Sequence, residues 1–160
     1  MEAAALELQN HLINATPYDH KLDRAGFFNH AQNTPTSYKK TDLAGLFYHA
    51  KSFRYIKEQK GDLWQTPEET ERKGSGDCED KAVWLFSRLK ESGYSNVRLV
   101  IGKYKSINRG YHVWVLVTDP THTTYLLDPS SQKCVWKPED FGPGYYRPIY
   151  SFDGQNRYRH

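Results

Sequence analysis

Three residues set the chemistry this sequence could perform: Cys78, His112 and Asp128. Cys78 lies in Gly74-Ser75-Gly76-Asp77-Cys78-Glu79-Asp80, where a glycine-broken loop turns into a helical pattern over residues 79–92. Ala82, Leu85, Phe86 and Leu89 follow the cysteine at spacings of 4, 7, 8 and 11, so all five share one apolar face. Cys78 therefore sits inward, at a first turn whose backbone N–H groups lack intrahelical partners. Those groups and the helix dipole favour a thiolate, and they can hold an oxyanion formed by its attack on a carbonyl. A cysteine on such a face is also commonly a small packed hydrophobe. Its neighbours decide between the two.

His112 is the first interior position of the strongest strand pattern, residues 111–118. There Val113, Val115 and Val117 alternate with His112, Trp114 and Leu116. Asp128 ends the next strand pattern, residues 123–128, after an Asp119-Pro120-Thr121 turn. Pairing Thr118 with His122 sets His112 directly opposite Asp128, with Cβ atoms about 4.5–5.5 Å apart. A slip of one residue would turn Asp128 to the other face. In that register the carboxylate can orient the imidazole, and the imidazole can take and return a thiol proton. A strand histidine can also be a satisfied core residue, and Asp-Pro is a common turn opener.

The elements that must position these residues follow from periodicity. Residues 1–14 read as a helix and 15–40 mostly as loop, with Phe27 and Phe28 as an anchor. Thr41 caps a helix running to about Glu58, and His49 falls off its apolar face. Thr66 and Glu69 form a capping box with Pro67 at the first helical position, giving a short helix over 67–72 that stops at Gly74. Asp77 caps the Cys78 helix and Gly93 ends it. The period then changes to two. Strands are expected at 97–104, 111–118 and 123–128, with another at 132–136 and a last one at 145–152, which Pro148 demotes towards an edge. Helices first and an antiparallel sheet after them give an α+β fold.

Composition sets the bounds. The chain has 160 residues, 38% of them apolar, with 12 Tyr, 7 Phe and 4 Trp to build a core. It reads as a single domain, with a helical part over 1–60, a middle part over 62–130 that carries Cys78, His112 and Asp128, and C-terminal strands over 131–160. A net charge of +3 without a basic block argues against nucleic-acid binding. No run of 18 apolar residues is present, so no membrane span is expected. Two cysteines, Cys78 and Cys134, make no disulfide framework and no Cys-x-x-Cys motif.

Four stretches carry a resemblance. These are Trp64-Gln65-Thr66-Pro67-Glu68, the glycine-broken stretch from Gly74 to Asp80, Tyr111-His112-Val113-Trp114-Val115, and Leu126-Leu127-Asp128-Pro129. Together they resemble the transglutaminase-like superfamily, and within it the bacterial transglutaminase-like cysteine peptidases. The match spans about residues 62–130. It implies a papain-like α+β core, N-terminal helices packed on an antiparallel sheet. It also implies a triad of Cys78 as nucleophile, His112 as general base and acid, and Asp128 as orienting carboxylate. Some members of the superfamily use an indole N–H in the oxyanion hole, which makes Trp64 a candidate beside its packing role. Relatives that release adhesins bind calcium through acids flanking the cysteine, here Asp77 and Glu79. The same residues also read as a helix cap and a complement to the dipole. No cofactor is otherwise required.

The expected function is cysteine-dependent acyl transfer, with hydrolysis of a peptide or protein amide. The alternatives are transamidation to an amine, a binding domain that kept the fold, and a thiol sensor built on Cys78 and Cys134. The substrate is expected to be a peptide or protein, with C-terminal aromatics as contacts. The compartment is expected to be periplasmic or secreted if a signal peptide has been removed, and cytoplasmic otherwise.

Overall fold

A computed structural model describes residues 11–30, 42–57, 63–105, 110–132, 135–142 and 144–160. In chain order the elements are β1 (His11–Ile13), α1 (Asp19–Arg24), α2 (Phe27–His30), α3 (Leu43–Ser52), β2 (Arg54–Tyr55), α4 (Pro67–Lys73) and β3 (Ser75–Gly76). Then come α5 (Cys78–Glu91), β4 (Asn96–Tyr104), β5 (His112–Thr118), β6 (Thr124–Leu127), a 3-10 turn at Pro138–Asp140, β7 (Tyr146–Phe152) and β8 (Arg157–Arg159). The six longer strands make one sheet in the order β1-β8-β7-β4-β5-β6. All its pairings are antiparallel. The α+β reading holds.

Helix α5 is the hub. It lies on one face of the sheet against β4 and β5, with α3 and α4 packed on its outer side. Cys78, Ala82, Leu85, Phe86 and Leu89 are buried as their spacing predicts. So are Val83, Trp84, Lys81 and Ser87, because a helix enclosed on several sides buries more than one stripe. The other face of the sheet carries a smaller cluster of Val100, Trp114, Leu116 and Leu126, with Phe141 and Tyr146 packed against it. Each large side chain so buried contributes about 1.5–3 kcal/mol.

Tertiary contacts override several local expectations. Residues 11–13, expected to be helical, form a strand paired with β8; residues 1–10 lie outside the described set. The expected loop over 15–40 contains α1 and α2, whose Leu22, Ala25 and Phe27 are buried. Helix α3 starts from Asp42, which accepts from the Ala44 N–H; Thr41 lies outside the described residues. It ends at Ser52 rather than Glu58, because Arg54 and Tyr55 pair in parallel with Ser75 and Gly76. Helix α4 has the expected Thr66 cap and stops at Gly74 in a left-handed conformation, φ 65°. Of the strand expected at 132–136, a single bridge from Trp136 to Leu126 is present among the described residues.

Two corrections concern the sheet near the site. Strand β7 is not an edge, because β8 covers one side and β4 the other. Pro148 is tolerated at an irregularity between Ile101 and Gly102, where a missing donor costs little. Gly102 is required there, since a Cβ on it would collide with the Arg147 carbonyl oxygen. The β5–β6 register also differs by two residues: Thr118 pairs with Thr124, and the loop is Asp119–Thr123. A shift of two preserves the face of every side chain. Gly102→Ala should therefore lose about 3 kcal/mol by backbone collision, about 6–12 °C in melting temperature for a chain of this size. Gly142→Ala, with nothing within 4 Å of its Cβ, should stay within about 0.5 kcal/mol. Calorimetry on the two variants checks both.

Candidate active site

The approach to Cys78 is built from small parts. Strand β2 holds the segment before the cysteine in place, with Arg54 N–H donating to the Gly74 carbonyl at 3.0 Å and Ile56 N–H to that of Gly76 at 3.1 Å. Gly76 has no room for a side chain; a Cβ there would lie 2.6 Å from Asp80 Cβ. Asp80 uses both carboxylate oxygens. Oδ1 accepts from Gln65 N–H at 2.8 Å, and Oδ2 accepts from Gln65 Nε2 at 2.8 Å and from Asp77 N–H at 3.1 Å. The Gly-Asp-Cys-Glu-Asp run is thus a fitted turn as much as a chemical group.

Cys78 opens α5 and is buried. Its thiol donates to Glu79 Oε2 at 3.2 Å. The expected stabilisation of a thiolate by the helix N-terminus is not what dominates here. Burial pushes the thiol well above its ordinary range. The charge and hydrogen bond of Glu79 add to this, Asp77 adds further, and only a hydrogen bond from the Val113 backbone pulls the other way. A helix terminus carries about half a charge, which buried carboxylates outweigh. The Val113 contact places the sulfur against the backbone of β5, at the residue after His112.

His112 Nε2 lies 2.7 Å from Asp128 Oδ2, and Asp128 is fully buried. The pair forms although Asp128 stands just beyond the end of β6 and not directly across from His112. Other contacts hold the carboxylate: Ser130 N–H donates to Oδ1 at 3.2 Å, and the Tyr146 hydroxyl donates to Oδ2 at 2.9 Å. The Asp128 N–H donates to Gln132 Oε1 at 3.0 Å. With Nε2 engaged, Nδ1 is the ring nitrogen available to a thiol. Among the described residues no hydrogen bond joins the sulfur to the imidazole; the thiol faces Glu79 instead.

Trp64 is fully buried, and its indole N–H donates to the Tyr111 hydroxyl at 3.3 Å. That bond ties the indole to Tyr111, the residue before His112. His49 is exposed and packs on Trp84, with ring centroids 4.6 Å apart. His122 sits in the turn at φ 64°. Cys134 lies outside the described residues, so its relation to Cys78 does too.

Two features were not legible from motifs. Tyr55 stands by the thiol, with its hydroxyl pushed up to about 12 by burial and by the charges of Cys78, Asp77, Glu79 and Asp128. On the other side of the His112–Asp128 pair a cleft of about 360 Å³ opens, lined by Tyr104, Gln132, Trp136, Phe141, Tyr145 and Tyr146. The Tyr104 ring lies 4.9 Å from that of His112. Aromatic residues in the C-terminal third were the only signal in the sequence for this wall.

Comparisons with known proteins bear on the family and the fold. The family model for the CEP76 peptidase-like domain matches residues 62–152. The chain belongs to that family. Among solved structures, this CEP76 peptidase-like domain is similar to LapG of Legionella pneumophila. The TM-score is 0.64 at 21% identity, over 88% of this chain and 80% of that one. Calcium-bound LapG gives 0.64 at 19% identity, over 91% and 81%. A Cytophaga hutchinsonii protein described as a candidate cysteine protease gives 0.52 at 14% identity, over 88% of this chain and 45% of that one. The neighbours are transglutaminase-like cysteine peptidases, and at these identities the likeness is one of fold. No curated protein matches.

LapG is known in a calcium-bound and an EGTA-treated form, which makes calcium a group to test against this site. Asp77, Glu79 and Asp80 are all buried around Cys78. Asp77 Oδ1 is buried with no hydrogen-bond partner among the described residues. Burial, with the charge of Asp77 next, pushes Asp80 up to about 7. Surplus carboxylate oxygen of this kind suits a hard cation. Among the described residues, however, no three His, Cys, Asp or Glu side chains converge as a complete metal set, and calcium takes six to eight oxygens. Asp77 and Glu79 fit the ion by donor type; backbone and water would have to supply the rest.

Asp80→Ala removes the acceptor of two backbone N–H groups and one side-chain amide together. It should cost about 2–4 kcal/mol in urea unfolding, and Asp80→Asn, which keeps an acceptor oxygen, should cost less.

Proposed function

We propose that this domain is a cysteine-dependent hydrolase of peptide or protein amides, acting through Cys78, His112 and Asp128. The observation that carries the reading is the 2.7 Å contact of His112 Nε2 with a fully buried Asp128, beside the helix that begins at Cys78. A wholly buried carboxylate bonded to one imidazole nitrogen fixes the tautomer and ring orientation, leaving the other nitrogen for proton transfer.

In this reading the resting thiol leaves Glu79 and turns towards His112. Nδ1 takes the S–H proton, and the sulfur attacks the carbonyl carbon of the scissile amide. The backbone N–H of Cys78, in the first turn of α5, faces the oxyanion. The imidazolium, held by Asp128, returns its proton to the leaving nitrogen as the C–N bond breaks and an acyl-thioester remains. Water then attacks that carbonyl, giving its proton to His112. The acid leaves as the proton returns to sulfur. The aromatic cleft adjoining the pair offers apolar walls to a substrate side chain. Calcium held by Asp77 and Glu79 would supply positive charge to balance the carboxylates that crowd the thiol.

The test is digestion of an unfolded casein peptide pool, with mass spectrometry of the new termini. The parent should generate new termini and Cys78→Ala should generate none. Asp128→Asn should fall about a thousandfold or more, through loss of the correct tautomer. Turnover in Cys78→Ala contradicts the mechanism. A parent that binds peptides and cleaves none, with calcium present, supports a binding domain instead. Adding a primary amine separates transamidation, which would appear as amine incorporation at glutamine.

The calcium proposal has its own readout. Millimolar calcium should raise the melting temperature of EGTA-treated protein by a few degrees through binding to the native state, and Asp77→Asn should lose that rise. An unchanged melting temperature in the parent contradicts a calcium site.

A further inference from the structure

Tyr146 opens β7, paired with Tyr104 of β4. Its ring is wedged among Trp114, Phe141 and Tyr104, with centroid distances of 5.0, 4.8 and 4.9 Å. Its hydroxyl donates to Asp128 Oδ2 at 2.9 Å, the same oxygen that His112 Nε2 approaches at 2.7 Å. No motif marks this tyrosine.

The need for such a contact is visible in the chain. Asp128 lies past the last ladder pair of β6, Val115 with Leu127. Neither strand pairing nor a directly opposed partner fixes its carboxylate. Ser130 N–H and Gln132 hold one side of the residue. On the side that meets the imidazole, the holding group is Tyr146.

We propose that Tyr146 is a positioning residue of the His112–Asp128 pair, setting both the rotamer of the carboxylate and how much of its charge reaches the imidazole. The proposal rests on the hydrolase reading for its consequence in turnover, but not for its effect on His112. Two donors on one carboxylate oxygen share its charge. The tyrosine bond therefore makes Asp128 a weaker support for the imidazolium than a carboxylate without that donor. The groups facing the pair from other elements are Tyr104 of β4, Cys78 of α5 beside Val113, Lys81 of α5 and Tyr55 of β2. All remain in place in Tyr146→Phe, which keeps the ring and removes only the donor.

The sign follows. Without the tyrosine donor Asp128 holds a proton on His112 more firmly, so the imidazole in the variant should titrate above that of the parent. Nitrogen-15 NMR of the His112 ring in the full chain, assigned by its loss in His112→Asn, reads this directly. Tyr145→Phe is the control, since the Tyr145 hydroxyl belongs to the Tyr104 and Lys105 group rather than to Asp128. The expected result is an upward shift in Tyr146→Phe and none in Tyr145→Phe. Where the parent hydrolyses peptides, kcat in Tyr146→Phe should fall about threefold to thirtyfold, with KM nearly unchanged and the acid limb of the rate profile moved up. An unchanged His112 titration in Tyr146→Phe overturns the proposal whatever the rate does. Because the NMR readout needs no turnover, it stays decisive even if the hydrolase reading fails.

Discussion

A carboxylate removed from water at the end of a β-strand must be hydrogen-bonded, or it costs several kcal/mol. Asp128 is such a group, fully buried and just beyond β6. The carboxylate is bonded to an imidazole, a phenol and a serine N–H, while the Asp128 backbone N–H donates to the Gln132 side-chain oxygen. They come from β5, β7 and the turn after β6, so satisfying one side chain fastens three parts of the sheet together. The same demand fixes the imidazole. The geometry of the His112–Asp128 pair and the stability of this corner are one set of bonds.

The thiol faces the opposite problem. Its helix terminus offers positive polarity, yet the buried carboxylates of Glu79 and Asp77 bring negative charge beside it. Glu79 takes the S–H, and burial with that carboxylate keeps sulfur protonated. Gly76 and Asp80 pack so closely that the turn has little freedom to relieve this by moving the backbone. Relief has to come from the side chains, by Glu79 swinging away or by a cation joining the carboxylates.

Much of this was legible in the sequence where local rules govern. The α5 face, the Thr66 cap and the alternation of β5 all follow from spacing. The His112–Asp128 contact was anticipated with a loop two residues too short, and it survives because an even shift keeps both side chains on one face. What was hidden depends on long-range pairing. Residues 11–13 become a strand only because Arg157–Arg159 lies beside them. Pro148 signals an edge by its missing N–H, but the irregularity at Gly102 accommodates it inside the sheet. Tyr146 carries no local mark, since only the β4–β7 register brings its hydroxyl to Asp128. The thiol was read from the dipole alone, whereas the neighbouring carboxylates set its state.

In the proposed hydrolase Cys78 forms a covalent acyl intermediate with help from His112. Acid-quenching the protein during incubation with an unfolded peptide pool, then measuring intact mass and mapping the adduct, detects that intermediate. An acyl mass is expected on Cys78 in the parent, with none in His112→Ala. Peptide turnover with Cys78 unmodified at every quench time, or an acyl group mapped to another residue, would contradict it.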